Sequence, residues 1–248
     1  VVTYRVGASR MRLDLRLKAD CPWLELIVSV DWCQRHELLR LDIPLASTAV
    51  RLAADTSGGV IERPAHPQTP REQERWEVPA ISWLASQAKA PGGGIAVLLD
   101  GPQGVDGATD RLGVSLLRGA TWPDPSADQG RHRMRLALMP FQGSWAHAAV
   151  PQAAIAFREP GWHGPIASGQ HQASMVTRCW LPAIPSRLCP IALRPDANGV
   201  VLQLLNPGAS RCRWQPGEGW KVGRSVAADD WIELAPGELI ELRLAQSS

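Results

Sequence analysis

Phenyl and phenol rings are nearly missing from this 248-residue chain: one Tyr and two Phe stand beside 11 Trp. A core filled by Phe and Tyr is therefore excluded, and aliphatic residues with Trp must take their place. Lysine is equally scarce, with three Lys against 23 Arg. A charge excess of either sign is absent too: the formal net charge is +2, which excludes a polybasic nucleic-acid binder and an acidic solvating tail. No apolar stretch approaches the roughly 20 residues that a membrane-spanning helix needs. Five cysteines (21, 33, 179, 189 and 212) form no CxxC pair. That removes zinc-ribbon and redox-motif readings, and the odd count argues against a complete disulfide framework. Reduced, mostly buried thiols in a cytoplasmic protein are expected. HExxH, GxSxG, a Walker loop and a GxGxxG turn in a βαβ setting are also missing. The chain opens on Val1-Val2-Thr3-Tyr4-Arg5-Val6, with neither an initiator Met nor a signal peptide's apolar core. It is expected to be a cut or processed chain.

What is present is alternation. Met11, Leu13, Leu15 and Leu17 interleave with Arg12, Asp14, Arg16 and Lys18. A strand places the first set on a core face and the second in water. Leu39, Leu41 and Ile43 repeat the pattern, as do Ile240, Leu242 and Leu244. Denser runs at Leu24–Val30, Ile95–Leu99, Val114–Leu117 and Val200–Leu205 fit strands covered on both faces. Pro and Gly punctuate the intervals, as at Asn206-Pro207-Gly208. Sustained 3.6-residue periodicity is missing. The Ala-rich stretch from Ser144 to Phe157 is interrupted by Pro151 and admits at most a short helix. The expected class is all-β, divided into a large sandwich over 1–160, a Pro/Gly-rich connector over 161–190 and a small β domain over 191–248.

Chemistry is harder to find. The six His residues are scattered, and neither His36 nor His132 has metal-ligand spacing to its neighbours. Gly92-Gly93-Gly94 precedes a strand, not a helix, so it offers no phosphate-binding helix N-terminus. Arginines alternate with carboxylates and no aromatic-basic stripe appears, which argues against nucleic acid. Two loops are richer than packing requires: Asp100–Asp106, and the segment from Leu116 to His132. In the second, Arg118 ends an apolar strand and Asp124, Asp128, Arg131 and His132 follow. Loops at strand ends often carry function. Alternatively Asp124 and Asp128 cap turns, and Arg118 pairs with one of them.

These same residues carry a resemblance. Asp31-Trp32-Cys33-Gln34-Arg35-His36 with Leu38-Leu39-Arg40 resembles the DWxExHxxLK stretch of glycoside hydrolase family 38, the zinc-dependent α-mannosidases. Gly59 to His66 is similar to its GxxxRPTH segment. Arg75-Trp76-Glu77-Val78-Pro79 with Trp83 is similar to FEVPxxxW, and Gly94 to Gly104 to GVALLNDCKYG. Leu116-Leu117-Arg118 with Pro123-Asp124-Pro125, Asp128, Gly130 and His132 resembles LLRSPxxPDPxxDxGxH. The tail from Ile191 to Pro207 is similar to LKxxEDGxGxILRLYNP. The chain departs at Gln34, where the pattern has Glu, and at Gly101-Pro102-Gln103, where it has CKY.

The resemblance implies the C-terminal β region only: a large antiparallel β-sandwich of the supersandwich, galactose-mutarotase-like kind, truncated at its start, then a small β-sandwich-like domain. The family's catalytic Asp, zinc ligands and helical segment match nothing here. It further implies retaining hydrolysis of α-mannosides in the full-length enzyme, with zinc there and no cofactor in this part. Implied partners are the N-terminal catalytic and helical domains of the same polypeptide and its mannoside substrate, with no nucleic acid, no membrane and a possible homo-oligomer. No catalytic or metal residue is expected here; Arg118 is the expected substrate contact. An autonomous carbohydrate-binding or assembly module is the alternative. Trp32, Trp76 and Trp83, on strand-like segments of these motifs, are assigned to the sandwich core.

Overall fold

Each long alternating segment forms a strand in the computed structural model, which describes residues 1–89, 92–159, 181–217, 220–223 and 231–246. The chain divides into two units, Val1–Arg158 and Glu159–Ser248. The first begins with β1 (Val2–Val6), β2 (Ser9–Leu17), β3 (Leu24–Trp32), β4 (Leu39–Pro44), β5 (Ala49–Thr56) and β6 (Gly59–Pro64). One helical turn, α1 (Pro70–Gln73), leads to β7 (Glu77–Pro79), β8 (Trp83–Ala88) and β9 (Gly94–Asp100). Then come β10 (Gly104–Gly107), β11 (Arg111–Leu117), β12 (Gly130–Phe141) and α2 (Val150–Arg158).

These strands make an eight-stranded sheet, β1-β2-β3-β12-β9-β8-β5-β6, and a four-stranded sheet, β4-β11-β10-β7, with every pairing antiparallel. Between them lies a core of Leu26, Val28, Leu52, Val97, Leu99 and Leu136 from the large sheet and Ile43, Val105, Leu112 and Val114 from the small one. The opposite face of the large sheet buries Ala96, Leu98, Trp83 and Ala137 against Trp145, Val150, Ala154 and Phe157. Strand β9 thus sends Val97 and Leu99 one way and Ala96 and Leu98 the other. That is why its sequence is an unbroken apolar run and not an alternation. Pro151 does not interrupt the helix beside it. It occupies the first turn of α2, where its missing N–H has no partner to lose.

The Trp residues are placed by polar anchors as well as by packing. Asp55 accepts hydrogen bonds from the amides of Ile81 and Ser82, both at 2.9 Å, and of Trp83 at 3.1 Å. That anchor turns the Trp83 ring into the core, 5.1 Å from the ring of Trp145, whose Nε1 donates to Glu62 at 2.9 Å. Burying a Trp of roughly 200 Å² at about 25 cal/mol per Å² contributes about 5 kcal/mol before entropy costs. Trp32 is buried by packing alone near Val30, Leu39 and Leu117, and its Nε1 has no hydrogen-bond partner among the described residues. One alternation fares differently: Leu15 and Leu17, expected on the core face, are exposed, because the small sheet does not extend over that end of β2.

The second unit holds β13 (Cys189–Asp196), β14 (Gly199–Leu205), β15 (Cys212–Trp214), β16 (Trp220–Val222), β17 (Ile232–Leu234) and β18 (Leu239–Gln246). A four-stranded sheet, β13-β14-β18-β16, and a two-stranded one, β15-β17, surround Leu188, Leu202, Leu204, Trp214, Leu234 and Leu242. Asn206 joins them: its side-chain amide donates to the carbonyls of Ser210, Leu234 and Ala235 at 2.9–3.0 Å. Pro190 sits beside a register shift on the edge strand β13, where a missing N–H is tolerated. Of the expected connector, residues 161–180 lie outside the described residues, while Leu188 is buried in this unit and Cys189 and Pro190 belong to β13. The family resemblance and the sheets agree on an all-β protein, with α1 and α2 as its helices among the described residues.

Candidate functional site

The outer face of the small sheet carries charge where its inner face carries the core. Register places Arg40 opposite Ser115, Asp42 opposite Gly113, and Asp106 opposite both Gly113 and Glu77. Asp106 is 3% exposed and pairs with two arginines, Arg40 and, at 2.8 Å, Arg111. Asp42 extends the network at the surface, 3.2 Å from Arg111 and 3.5 Å from Arg40. The hydrogen bond it donates to Asp106 holds the Arg111 guanidinium above its ordinary range, against a smaller effect of burial. Gly113 makes this packing possible, since a Cβ there would overlap both the Asp106 carboxylate and the Arg40 guanidinium.

Beside the network opens a cleft of about 820 Å³, lined by Leu38, Trp76, Glu77, Ser115, Arg118 and Asp128 among others. Trp76 is not in the sandwich core. It lies between α1 and β7, 58% exposed, with the Arg40 guanidinium 6.0 Å from its ring centroid. The segment that delivers it is held locally. Thr69 and Glu72 form a capping box around α1, and Arg63 donates to the Arg75 carbonyl at 2.7 Å. Trp76 stays outside because β7 begins only at Glu77, so no strand turns its ring inward. At the cleft Ser115 Oγ is buried and has no hydrogen-bond partner among the described residues.

Arg118 forms the rim. It is exposed, and its guanidinium has no hydrogen bond or ion pair among the described residues. Its backbone, by contrast, is held: Asp128 accepts from the amides of Arg118 at 2.8 Å and Gly119 at 2.9 Å. The His36 amide donates to the Gly119 carbonyl at 2.8 Å, and Gln129 donates to the Gln34 carbonyl at 2.7 Å. Asp124 accepts from the amide and hydroxyl of Ser126, both at 2.8 Å, which holds its carboxyl below the ordinary range. Both aspartates therefore cap turns, and the pairing of Arg118 with Asp128 runs through the main chain. Trp122, 84% exposed, projects from the same pinned loop.

The departures from the family pattern have local consequences. Gln34 donates its side-chain amide to the Val6 carbonyl at 3.0 Å, a bond a carboxylate cannot make. The Gly101–Gln103 loop turns through Gly101 at φ +119° and sets Gln103 in the cleft wall. His36 and His132 serve the loop: His36 Nε2 lies 3.2 Å from Thr121 Oγ1, and His132 Nε2 lies 2.8 Å from the Asp128 carbonyl. Among the described residues no three His, Cys, Asp or Glu side chains come together to hold a metal, so zinc does not fit the residues described here. No helix among them is long and apolar enough to cross a membrane. Sequence reasoning singled out Arg118 but missed the charge network under the cleft, whose one signal was Arg40 and Asp42 alternating with Leu39, Leu41 and Ile43.

Residues 1–126 match the family pattern described as "Glycosyl hydrolases family 38 C-terminal domain". The chain is 33% identical over 152 residues to alpha-mannosidase 2C1 of Homo sapiens, covering 61% of this chain and 14% of the relative. It is 33% identical over 122 residues to alpha-mannosidase G of Dictyostelium discoideum, covering 49% of this chain and 11% of the relative. Among solved structures, an alpha-mannosidase from Enterococcus faecalis V583 aligns with a TM-score of 0.76 at 15% identity, over 95% of this chain and 29% of that one. That likeness is one of fold. The chain spans a small part of the length of the relatives it matches.

Proposed function

Because the chain belongs to glycoside hydrolase family 38 through that C-terminal domain, we propose that it is a non-catalytic β region of an α-mannosidase whose cleft faces the catalytic part of a longer polypeptide. The observation that supports this most is Arg118: its main chain is fixed by Asp128 while its guanidinium stands unpaired among the described residues at the cleft rim. A pre-positioned guanidinium donates charge-assisted hydrogen bonds to a sugar hydroxyl or to a carboxylate of the catalytic part. In this reading retaining hydrolysis of the mannoside, and the zinc that serves it, belong to that part. The free thiols of Cys21, Cys33 and Cys212 suit a reducing, cytoplasmic setting.

The test is kinetic. In the longer polypeptide, Arg118→Ala is expected to lower kcat/KM on an aryl α-mannoside by roughly 10–100-fold, the value of one charged hydrogen bond. Thermal melting should be unchanged and Arg118→Lys should recover part of the loss. Unaltered kinetics would return Arg118 to the loop's architecture. A second reading, a cleft that binds sugar by itself, is favoured by exposed Trp76 beside the Ser115 hydroxyl, which has no partner among the described residues. Calorimetric titration of the 248-residue chain with methyl α-mannoside separates the two. Saturable binding abolished by Trp76→Ala supports the second reading, and no heat supports the first.

A further inference from the structure

The outer face of the eight-stranded sheet, the one turned away from the small sheet, is covered only in part. Helix α2 packs on β8, β9 and the second half of β12. Toward β1 the same face is open, and register sets out its side chains in rows. One row runs Arg5, Arg10, Asp31, Arg131 and the next runs Thr3, Arg12, Ser29, Arg133, each from β1 across β2 and β3 to β12. Beyond these rows the face closes. Ile27 and Glu25 are buried, and Arg135 is taken up by Glu25 at 3.0 Å and Asp100 at 2.9 Å.

Arginine is the default cation of this chain, so the signal is placement and not residue type. On other strands arginines are often matched: Arg51 with Glu62 at 3.0 Å, Arg194 with Glu241 at 2.8 Å and Arg213 with Glu233 at 2.6 Å. In the two rows only Arg12 has a carboxylate partner, Asp14 at 2.9 Å. Arg5, Arg10, Arg131 and Arg133 are exposed and have no ion pair or side-chain hydrogen bond among the described residues. Arg5 lies directly opposite Arg10, and like charges facing one another across strands cost stability. Against five arginines stand only Asp14 and Asp31, a surplus of three positive charges on a chain whose formal net charge is +2. The rest of the molecule is therefore slightly negative, and the excess cation is gathered here.

We infer that this face binds a linear acidic polysaccharide, a chain of uronate sugars. Strand geometry puts the backbones of Arg10 and Arg131 about 10 Å apart and those of Arg131 and Arg133 about 7 Å apart. Such a lattice suits a ligand that repeats its carboxylates along its length, not a single small anion. Each guanidinium donates a forked pair of hydrogen bonds to a carboxylate. Asp31, Thr3 and Ser29 lie among the arginines. Asp31 would repel an unbroken run of acid groups, but all three accept hydrogen bonds from the hydroxyls that separate carboxylates on a sugar chain. Other polyanions fit less well. The exposed apolar side chains of β1 and β2, Val2, Tyr4, Leu15 and Leu17, lie on the opposite face. The two rows thus have neither the aromatic anchors of a protein interface nor a stacking platform for nucleic-acid bases. That the anion is carried on sugars rests on the function proposed above; the arginine excess does not.

The test is titration of the 248-residue chain, and of the longer polypeptide, with a fluorescent polygalacturonate oligosaccharide long enough to cross four strands, read by anisotropy. Saturable binding to both is expected, weakening about tenfold or more as salt rises from about 0.02 M to about 0.5 M. Arg10→Gln combined with Arg131→Gln should lower affinity about tenfold or more, the value of one charged hydrogen bond. Lys221→Glu, which removes as much net charge at an exposed site on β16, should leave affinity unchanged. Arg5→Gln should weaken binding and raise the melting temperature together, since it relieves the pair with Arg10; a misfolded variant would lower both. An absence of saturable binding overturns the inference, and so does an equal loss in Lys221→Glu, which would mean net charge and not this face. Tighter binding of polyglutamate or of a single-stranded oligonucleotide of equal charge overturns it in favour of an acidic peptide or a nucleic acid. Loss of binding in the longer polypeptide overturns it in favour of a covered face. No turnover enters these measurements, so this inference and the Arg118 reading can fail separately.

Discussion

Asp128 holds Arg118 by its main-chain amide, at 2.8 Å. The same carboxylate takes the Gly119 amide, and Asp128 itself sits at φ +62°, a left-handed conformation that Asp and Asn tolerate better than other residues. One side chain thus anchors the start of the loop by its carboxylate and turns the end of it by its backbone. The arrangement separates two roles in Arg118, a fixed backbone and a free side chain.

Substitution at Asp128 should show that separation. Asp128→Asn keeps an acceptor oxygen and the left-handed preference, so stability is expected to fall by less than about 1 kcal/mol. Asp128→Ala loses both amide bonds and adds roughly 1 kcal/mol of backbone strain, for a total of about 2–3 kcal/mol. Urea denaturation measures the difference, and the amides of Arg118 and Gly119 should exchange faster in the Ala variant. Equal stability of the two variants would mean that the carboxylate does not anchor the loop.

Two aspartates on one sheet face offer a sharper comparison. Asp106 is buried between Arg40 and Arg111, whereas Asp42 meets the same arginines at the surface. Removing the buried Asp106 charge leaves two arginines without their main counter-charge, Arg40 only 18% exposed at its side chain, while an exposed pair is screened. Asp106→Asn is expected to cost about 3 kcal/mol or more and Asp42→Asn under 1 kcal/mol. Raising salt should erase the Asp42 effect and leave most of the Asp106 effect. Comparable losses at both positions would show that the network is solvated throughout.

Much of this architecture was legible in the sequence, for reasons specific to particular strands. Ile240, Leu242 and Leu244 are buried because alternation is a local property that survives into a half-buried sheet. The unbroken run at Ile95–Leu99 announced a strand buried on both faces, and Trp32 and Trp83 fell in the core as their motifs implied. The failures are equally physical. Leu15 and Leu17 carry the same alternation, but a strand's pattern states that one face is apolar, not whether anything covers it. Trp76 looked like core because its motif runs into β7. Its side is decided by where the first ladder bond forms, one residue later. The charge network was hard to read because Asp106 and Arg40 are 66 residues apart and meet only through β10, β11 and β4. Arg118 could be picked out by its place at a strand end, yet only the loop geometry shows which part of it is held.

The cysteines give a prediction with a pH sign. Cys212 is buried beside Trp214 on β15, and desolvation pushes its thiol up, with Arg187 opposing weakly. Cys33 is exposed at the end of β3. Alkylation requires a thiolate that the reagent can reach. Iodoacetamide at pH 8 should therefore label Cys33 within minutes and leave Cys212 unlabelled until the chain is unfolded, as peptide mass spectrometry would read. A raised thiol favours the folded state fully below the ordinary thiol range and loses that contribution as pH climbs through the raised value. Alkaline melting should accordingly be gentler for Cys212→Ala, which has no thiol to ionise, once its cavity cost is subtracted at neutral pH. If Cys212 were instead modified as fast as Cys33 in the native chain, β15 and β17 would not shield the core of the second unit.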